Sequence, residues 1–141
     1  MTQRSSSEAE AQQRGKPAEM LAEVYCQARA RDWAAVEALC HPEFTVFEAP
    51  SVPFGGEWKG RDALQRVATA MYATWDSASV DIHEIVGGEE WAVTVLTLTM
   101  TSKKTGRTFS QTINEAGRFE DGLLRELRIH YFDTAEIAAE A

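Results

Sequence analysis

Three residues in this sequence have side chains and surroundings suited to moving a proton: Glu48, His130 and Glu115. Glu48 closes the hydrophobic run TVFEAP, between aromatic and proline-rich segments. A carboxyl desolvated there has its pKa raised toward that of a working base. The same position also suits a rim carboxylate paired with Lys59 or Arg61. His130 lies in RIHYFD, flanked by aromatics, and imidazole is the side chain best matched to proton transfer near neutrality. Strand alternation puts Arg128, His130 and Phe132 on one face, and Ile129, Tyr131 and Asp133 on the other. Here the alternative is a core histidine bonded to a hydroxyl or a carbonyl. Glu115, in TINEAGRF, is a protonated donor if dry and a solvated face residue if not. Tyr25 either offers a phenol to a pocket or fills a core position on a helix. Trp58, Phe47 and Phe132 are candidates for the apolar wall around a substrate.

Other chemistries lack their residues. The three histidines, His41, His83 and His130, are scattered and have no cysteine neighbours, so no metal site is expected. GxSxG, P-loop and GxGxxG patterns are missing, which removes support for serine hydrolysis, phosphate transfer and dinucleotide binding. Acid–base chemistry by carboxylate and imidazole in a pocket remains, with no cofactor.

The elements that must position these groups follow from periodicity. Residues 1–16 are polar and low in complexity and read as a disordered tail; they lack the apolar core of a secretory signal. Residues 17–141 read as one domain, the number a chain of 141 residues accommodates. Leu21, Val24, Tyr25 and Ala28 follow i, i+3, i+4, i+7 and predict a helix after Pro17. Asp32 is a suitable N-cap for a second short helix, giving an αα-hairpin over 17–41. A strand is expected over 44–48, then a Pro/Gly-rich loop, then a helix over 61–75 with the stripe Leu64, Val67, Met71 and Trp75. Strands over 79–86, 91–101, 107–119 and 123–132 and a helical turn over 134–139 complete the chain. Helices on one face of a strongly bent antiparallel sheet make a cone with an interior, the place to seek function.

Charge and composition narrow the partners. Fourteen Lys+Arg stand against 22 Asp+Glu, a net charge of −8, which repels nucleic acid and anionic membranes. No apolar run approaches the roughly 20 residues of a membrane span. Two cysteines, Cys26 and Cys40, form no disulfide framework, and a reducing cytoplasm is the expected location. The strand over 91–101 carries Trp91, Val93 and Val95 on one face and Leu96, Leu98 and Met100 on the other. With one face taken by helices, a partner subunit is the simplest cover for the second, so a homodimer through the sheet is expected.

The chain resembles the nuclear transport factor 2-like superfamily, in its SnoaL-like branch, over about residues 17–137. The segments that carry the resemblance are ARDWAAVEALCHPEF, the GGEWKGRDAL step into the third helix, and the ending GRFEDGLLRELRIHYFD. It implies an α+β fold: a bent antiparallel sheet packed as a cone on three N-terminal helices around an interior pocket. The fold hosts isomerases, cyclases, epoxide hydrolases and non-catalytic modules, so it does not settle function. Laid on ketosteroid isomerases, ARDWAAVEALCHPEFTVFEAP puts Glu48 where that family has its aspartate base. Matching the Arg-Phe pair of GRFEDG puts Glu115 where those enzymes keep a protonated aspartate in the oxyanion hole. His130 falls where SnoaL-type polyketide cyclases and limonene epoxide hydrolases carry a catalytic aspartate. The family tyrosine of the first helix falls at Val24, one residue before Tyr25. The epoxide hydrolases also need an Arg and an Asp two apart on an inner strand, where VTVLTLTMTS offers Thr97 and Thr99; that activity is not expected. The expected function is a cofactor-independent isomerase or aldol-type cyclase acting on a small, largely apolar carbonyl compound. The alternative is a non-catalytic module of the same fold that binds a small hydrophobic molecule or another chain.

Overall fold

Pro17 opens α1 (Pro17–Arg29), where its fixed φ and missing N–H suit the first helical position. Leu21 and Val24, from the predicted stripe, are fully buried. The helix ends in a Schellman turn: the Arg31 N–H donates to the Ala28 carbonyl and the Asp32 N–H to that of Gln27. Arg31 holds the left-handed position of that turn, with φ 57°. Asp32 then caps α2 (Trp33–Leu39), its side chain accepting from the Ala35 N–H at 3.1 Å, as its residue type predicts. This computed structural model describes residues 16–141; the tail expected over 1–16 lies, except for Lys16, outside the described residues.

The chain continues as β1 (Cys40–Glu48), β2 (Gly56–Lys59), α3 (Ala63–Thr74), β3 (Trp75–Gly87), β4 (Trp91–Ser102), β5 (Thr108–Glu120), β6 (Leu123–Tyr131) and α4 (Thr134–Glu140). The strands form one open, six-stranded sheet in the order β2-β1-β6-β5-β4-β3. β1 runs parallel to β6, and the other neighbours are antiparallel. The fold is α+β, with the bent sheet packed on α1, α2 and α3 as a cone.

Three elements differ from expectation; the first is β1, which starts at Cys40 rather than at 44 and takes residues 40 and 41 from the expected hairpin. β2 falls within the expected loop and helix entry; its four residues, GEWK, are too few and too polar to show a strand pattern, and they form an edge strand whose one strand partner is β1. α3 ends one residue early because Trp75 turns extended and starts β3, buried and edge-on to Phe109 at 5.6 Å.

Period-two alternation sorts the sheet into two faces. Leu96, Leu98, Met100, Ile113, Leu127 and Ile129 point inward and are buried. On β4 the outward positions are Trp91, Val93 and Val95, then Thr97, Thr99 and Thr101.

Candidate functional site

Between the inner sheet face and the helices lies a cavity of about 690 Å³. Leu64, Val67 and Met71 of the predicted α3 stripe line one side, and Leu96, Leu98, Ile113 and Ile129 of the sheet line the other. Two carboxyls enter this apolar space, Glu48 from the C-terminal end of β1 and Glu115 from β5.

Each carboxyl is held by a tyrosine. Tyr131, at the end of β6, donates to Oε2 of Glu48 at 2.8 Å. Tyr25, on the inner side of α1, donates to Oε1 of Glu115 at 2.7 Å. The Tyr131 ring is buttressed by Phe54, with ring centroids 6.4 Å apart. Phe54 is buried by the tight turns of the β1–β2 loop, where the Val52 N–H donates to the Ala49 carbonyl and the Gly55 N–H to that of Val52. Among the described residues, neither Oε1 of Glu48 nor Oε2 of Glu115 has a protein hydrogen-bond partner, so one oxygen of each carboxyl is left free of the protein.

The electrostatics follow from burial. Glu48 is only 8% exposed. Burial pushes its carboxyl up to about 8; the Tyr131 bond works against the shift and the nearby Glu115 charge adds to it. Burial likewise raises the Glu115 carboxyl, against the opposing bond from Tyr25. Both phenols are raised as well, first by burial and then by the adjacent carboxylates, so they stay neutral donors. The site thus combines a carboxyl that titrates near neutrality, a second one biased toward the protonated form, and two fixed hydroxyl donors. Among the described residues no three metal-ligating side chains gather, and no helix is long and apolar enough to cross a membrane.

A family model for the SnoaL-like domain matches residues 21–127. The chain belongs to this family. Solved structures agree at the level of fold. A nuclear transport factor 2-like protein of unknown function from Burkholderia pseudomallei is 22% identical, with TM-score 0.74 over 86% of this chain and 94% of its own. IdmH of Streptomyces antibioticus, a proposed polyketide cyclase, is 19% identical, with TM-score 0.67 over 88% and 96%. TerC, co-crystallized with polyporic acid, is 17% identical, with TM-score 0.73 over 88% and 97%. No curated protein matches the chain.

In this SnoaL-like domain the structure brings together Glu48, Glu115 and Tyr25. Val24, where the family tyrosine falls by ungapped matching, is buried in the core, and Tyr25 makes the bond to Glu115. The other candidates lie elsewhere. His130 is exposed on the outer face, paired in register with Asn114, and does not line the cavity. Phe132 is 86% exposed. Phe47, also outward, packs under the Arg128 guanidinium at 4.1 Å. Trp58 donates its indole N–H to the Phe54 carbonyl and sits outside the cavity lining. The physical reason is common to three of them. In β1 the inward parity belongs to Val46 and Glu48, which turns Phe47 outward. In β6 it belongs to Leu127, Ile129 and Tyr131, which turns His130 outward and leaves Phe132 beyond the strand.

The residue that sequence reasoning missed is Tyr131. Its signal was present in the alternation, because Ile129 on the same parity is the apolar residue that marks the inner face. The imidazole at His130 drew attention to the wrong face.

Proposed function

We propose that this protein is a cofactor-independent acid–base enzyme, an isomerase or aldol-type cyclase, acting on a small, largely apolar carbonyl compound in the cavity. One observation carries the proposal: two tyrosine-held carboxyls share one apolar pocket, each with an oxygen free. Glu48 is the base. With its pKa near 8, roughly a tenth of it is ionised at pH 7, and its conjugate acid is of matching strength to return the proton. Oε1 removes a proton from the carbon next to the substrate carbonyl while Tyr131 stays bonded to Oε2. The carbonyl oxygen gains negative charge as the enolate forms. Protonated Glu115 donates to it from Oε2 while its Oε1 accepts from Tyr25, which strengthens the donor. In an isomerisation Glu48 returns the proton to a different carbon. In an aldol cyclisation the enolate carbon attacks a second carbonyl of the same molecule and the new alkoxide takes the proton.

His130 has no part in this scheme. The crystallisation of TerC with polyporic acid supports a small organic ligand for this fold. A reducing cytoplasm and a homodimer through the outer sheet face complete the proposal.

The test is proton exchange and turnover on enolisable aryl ketones. Glu48→Gln lowers kcat/KM by about 10²–10⁴-fold, Glu115→Gln lowers it less because the amide still donates, and His130→Ala leaves it unchanged. A protein that binds these ketones while exchanging no proton, in the wild type as in Glu48→Gln, would instead be a ligand-binding module.

A further inference from the structure

The cavity has two chemically different ends. The carboxyls lie at the deep end, among the buried Leu96, Ile113 and Ile129. Other lining residues are exposed and mark its mouth, and two of them are Arg29, the last residue of α1, and Arg31, in the α1–α2 turn. Tyr72 of α3, 48% exposed, and Val80 of β3, 36% exposed, also belong to this exposed part of the lining.

These arginines are unlike most others in the molecule. Arg66, Arg107, Arg118, Arg125 and Arg128 each meet a carboxylate. Arg29 and Arg31 take part in none of the ion pairs among the described residues, in a chain with a net charge of −8. Arg31 also occupies a backbone position that favours glycine. It is the left-handed residue of the Schellman turn, φ 57°, where a β-carbon is unfavourable. An arginine kept there, at a cavity mouth and with no ion pair among the described residues, points to a ligand outside the protein.

We infer that the substrate is an amphipathic anion, an aryl or alkyl keto acid whose carboxylate is held at the mouth by Arg29 and Arg31 and whose carbonyl reaches Glu48 and Glu115. The charges fix this orientation. Reversed, the carboxylate would be desolvated against two carboxyls; in the proposed direction it stays at the wet end beside two guanidiniums suited to bidentate contact. The apolar body crosses the Leu- and Ile-lined middle of the cavity. This assignment takes its orientation from the acid–base function proposed above.

The test uses 6-acetyl-2-naphthoate and its methyl ester, which share body and ketone and differ in charge. Calorimetric titration of the wild-type protein at low salt gives an acid bound roughly tenfold more tightly than the ester, as two exposed ion pairs would supply. The ratio shrinks in high salt and falls toward 1 in Arg29→Gln/Arg31→Gln. Comparing two ligands on the same protein cancels general damage from the substitutions. Arg31→Gly, which suits the left-handed position, lowers the ratio with the fold intact. Equal binding of acid and ester, a preference that survives in the double variant, or no binding of either ligand overturns the inference. Deuterium exchange at the acetyl methyl reads the acid–base function separately. Acid preference without exchange removes the enzyme and leaves the arginine subsite; exchange without acid preference does the reverse.

Discussion

The Tyr131 hydroxyl donates a 2.8 Å hydrogen bond to Glu48 Oε2, joining the C-terminal ends of β1 and β6, the first and last strands along the chain. Those strands are parallel neighbours although most of the chain lies between them. The bond favours the carboxylate form and so moderates the upward push of burial on Glu48. Removing it in Tyr131→Phe therefore raises the Glu48 pKa further. A hydrogen bond to a charged group is worth about 1.5–3 kcal/mol, or roughly one to two pKa units. At pH 7 kcat/KM falls about ten- to a hundredfold and recovers as pH rises. A pH–rate profile checks this: an ascending limb that stays near pH 8 in the variant would remove Tyr131 from the tuning of the base.

The same raised carboxyl makes stability depend on pH. Glu48 moves from 4.5 to about 8 on folding, so between these values the folded state holds more protons than the unfolded one. Stability from this group is then full below about pH 4.5 and lost as pH rises through about 8, on the order of 5 kcal/mol in all. Glu115, also raised by burial, acts in the same sense. Glu140, lowered first by its bond from Thr105, acts in the opposite sense and only in acid. Thermal melts of the wild type should drop by roughly 10 °C between pH 5 and pH 9. Glu48→Gln should flatten most of that slope; an equally steep curve in the variant would place the pH dependence elsewhere.

Much of this architecture was readable from residue order. The helical stripes Leu21–Val24 and Leu64–Val67–Met71, the Asp32 cap and the four-strand meander all rest on local periodicity, and all are present. Glu48 was legible because it interrupts an apolar context, whereas Glu115 was singled out by the resemblance, through the Arg-Phe pair of GRFEDG. What local pattern does not encode is pairing between distant strands. Only the β1–β6 junction places Tyr131 beside Glu48, residues 83 apart. The inward parity of β6 is likewise set by its register with β1 and β5, and that choice sends His130 to solvent. The cationic mouth went unread because Arg29 and Arg31 sit at a helix end and in the turn after it, where charge is ordinarily taken as solvated surface.

Gly55 tests how strictly the β1–β2 loop holds the site. A β-carbon there would lie 2.3 Å from the Ala49 carbonyl oxygen and 2.8 Å from that of Val52, both backbone atoms that cannot swing aside. Gly55→Ala should cost about 1–3 kcal/mol or more and loosen Phe54, and with it the Tyr131 ring. Gly106 is the control: its φ is 73° and nothing lies within 4 Å of an added β-carbon, so Gly106→Ala pays only the left-handed penalty, about 1–2 kcal/mol. Chemical denaturation of both variants reads the stability difference. Activity per folded molecule should fall for Gly55→Ala and hold for Gly106→Ala; equal effects in both assays would show that the loop does not position Tyr131.

The outer sheet face carries the last prediction. Val86 and Trp91 are 49% and 39% exposed, and Val93 and Val95 lie beside them on β4. Cross-strand register aligns Val86, Val93 and Ala116 in one row. This apolar end of the face gives way to hydroxyls, with Thr99 bonded to Ser110 and Thr101 to Thr108. A self-complementary contact between two copies would bury the apolar row and leave the hydroxyl end wet at its rim. A charge at the centre of the row would have to be buried unpaired in such a dimer, twice, by symmetry. Light scattering after size exclusion should therefore give twice the chain mass for the wild type and the single chain mass for Val93→Lys, with the fold retained because residue 93 points out of the core. A wild type that runs as a monomer across the micromolar range would dismiss the dimer and leave the pocket chemistry untouched.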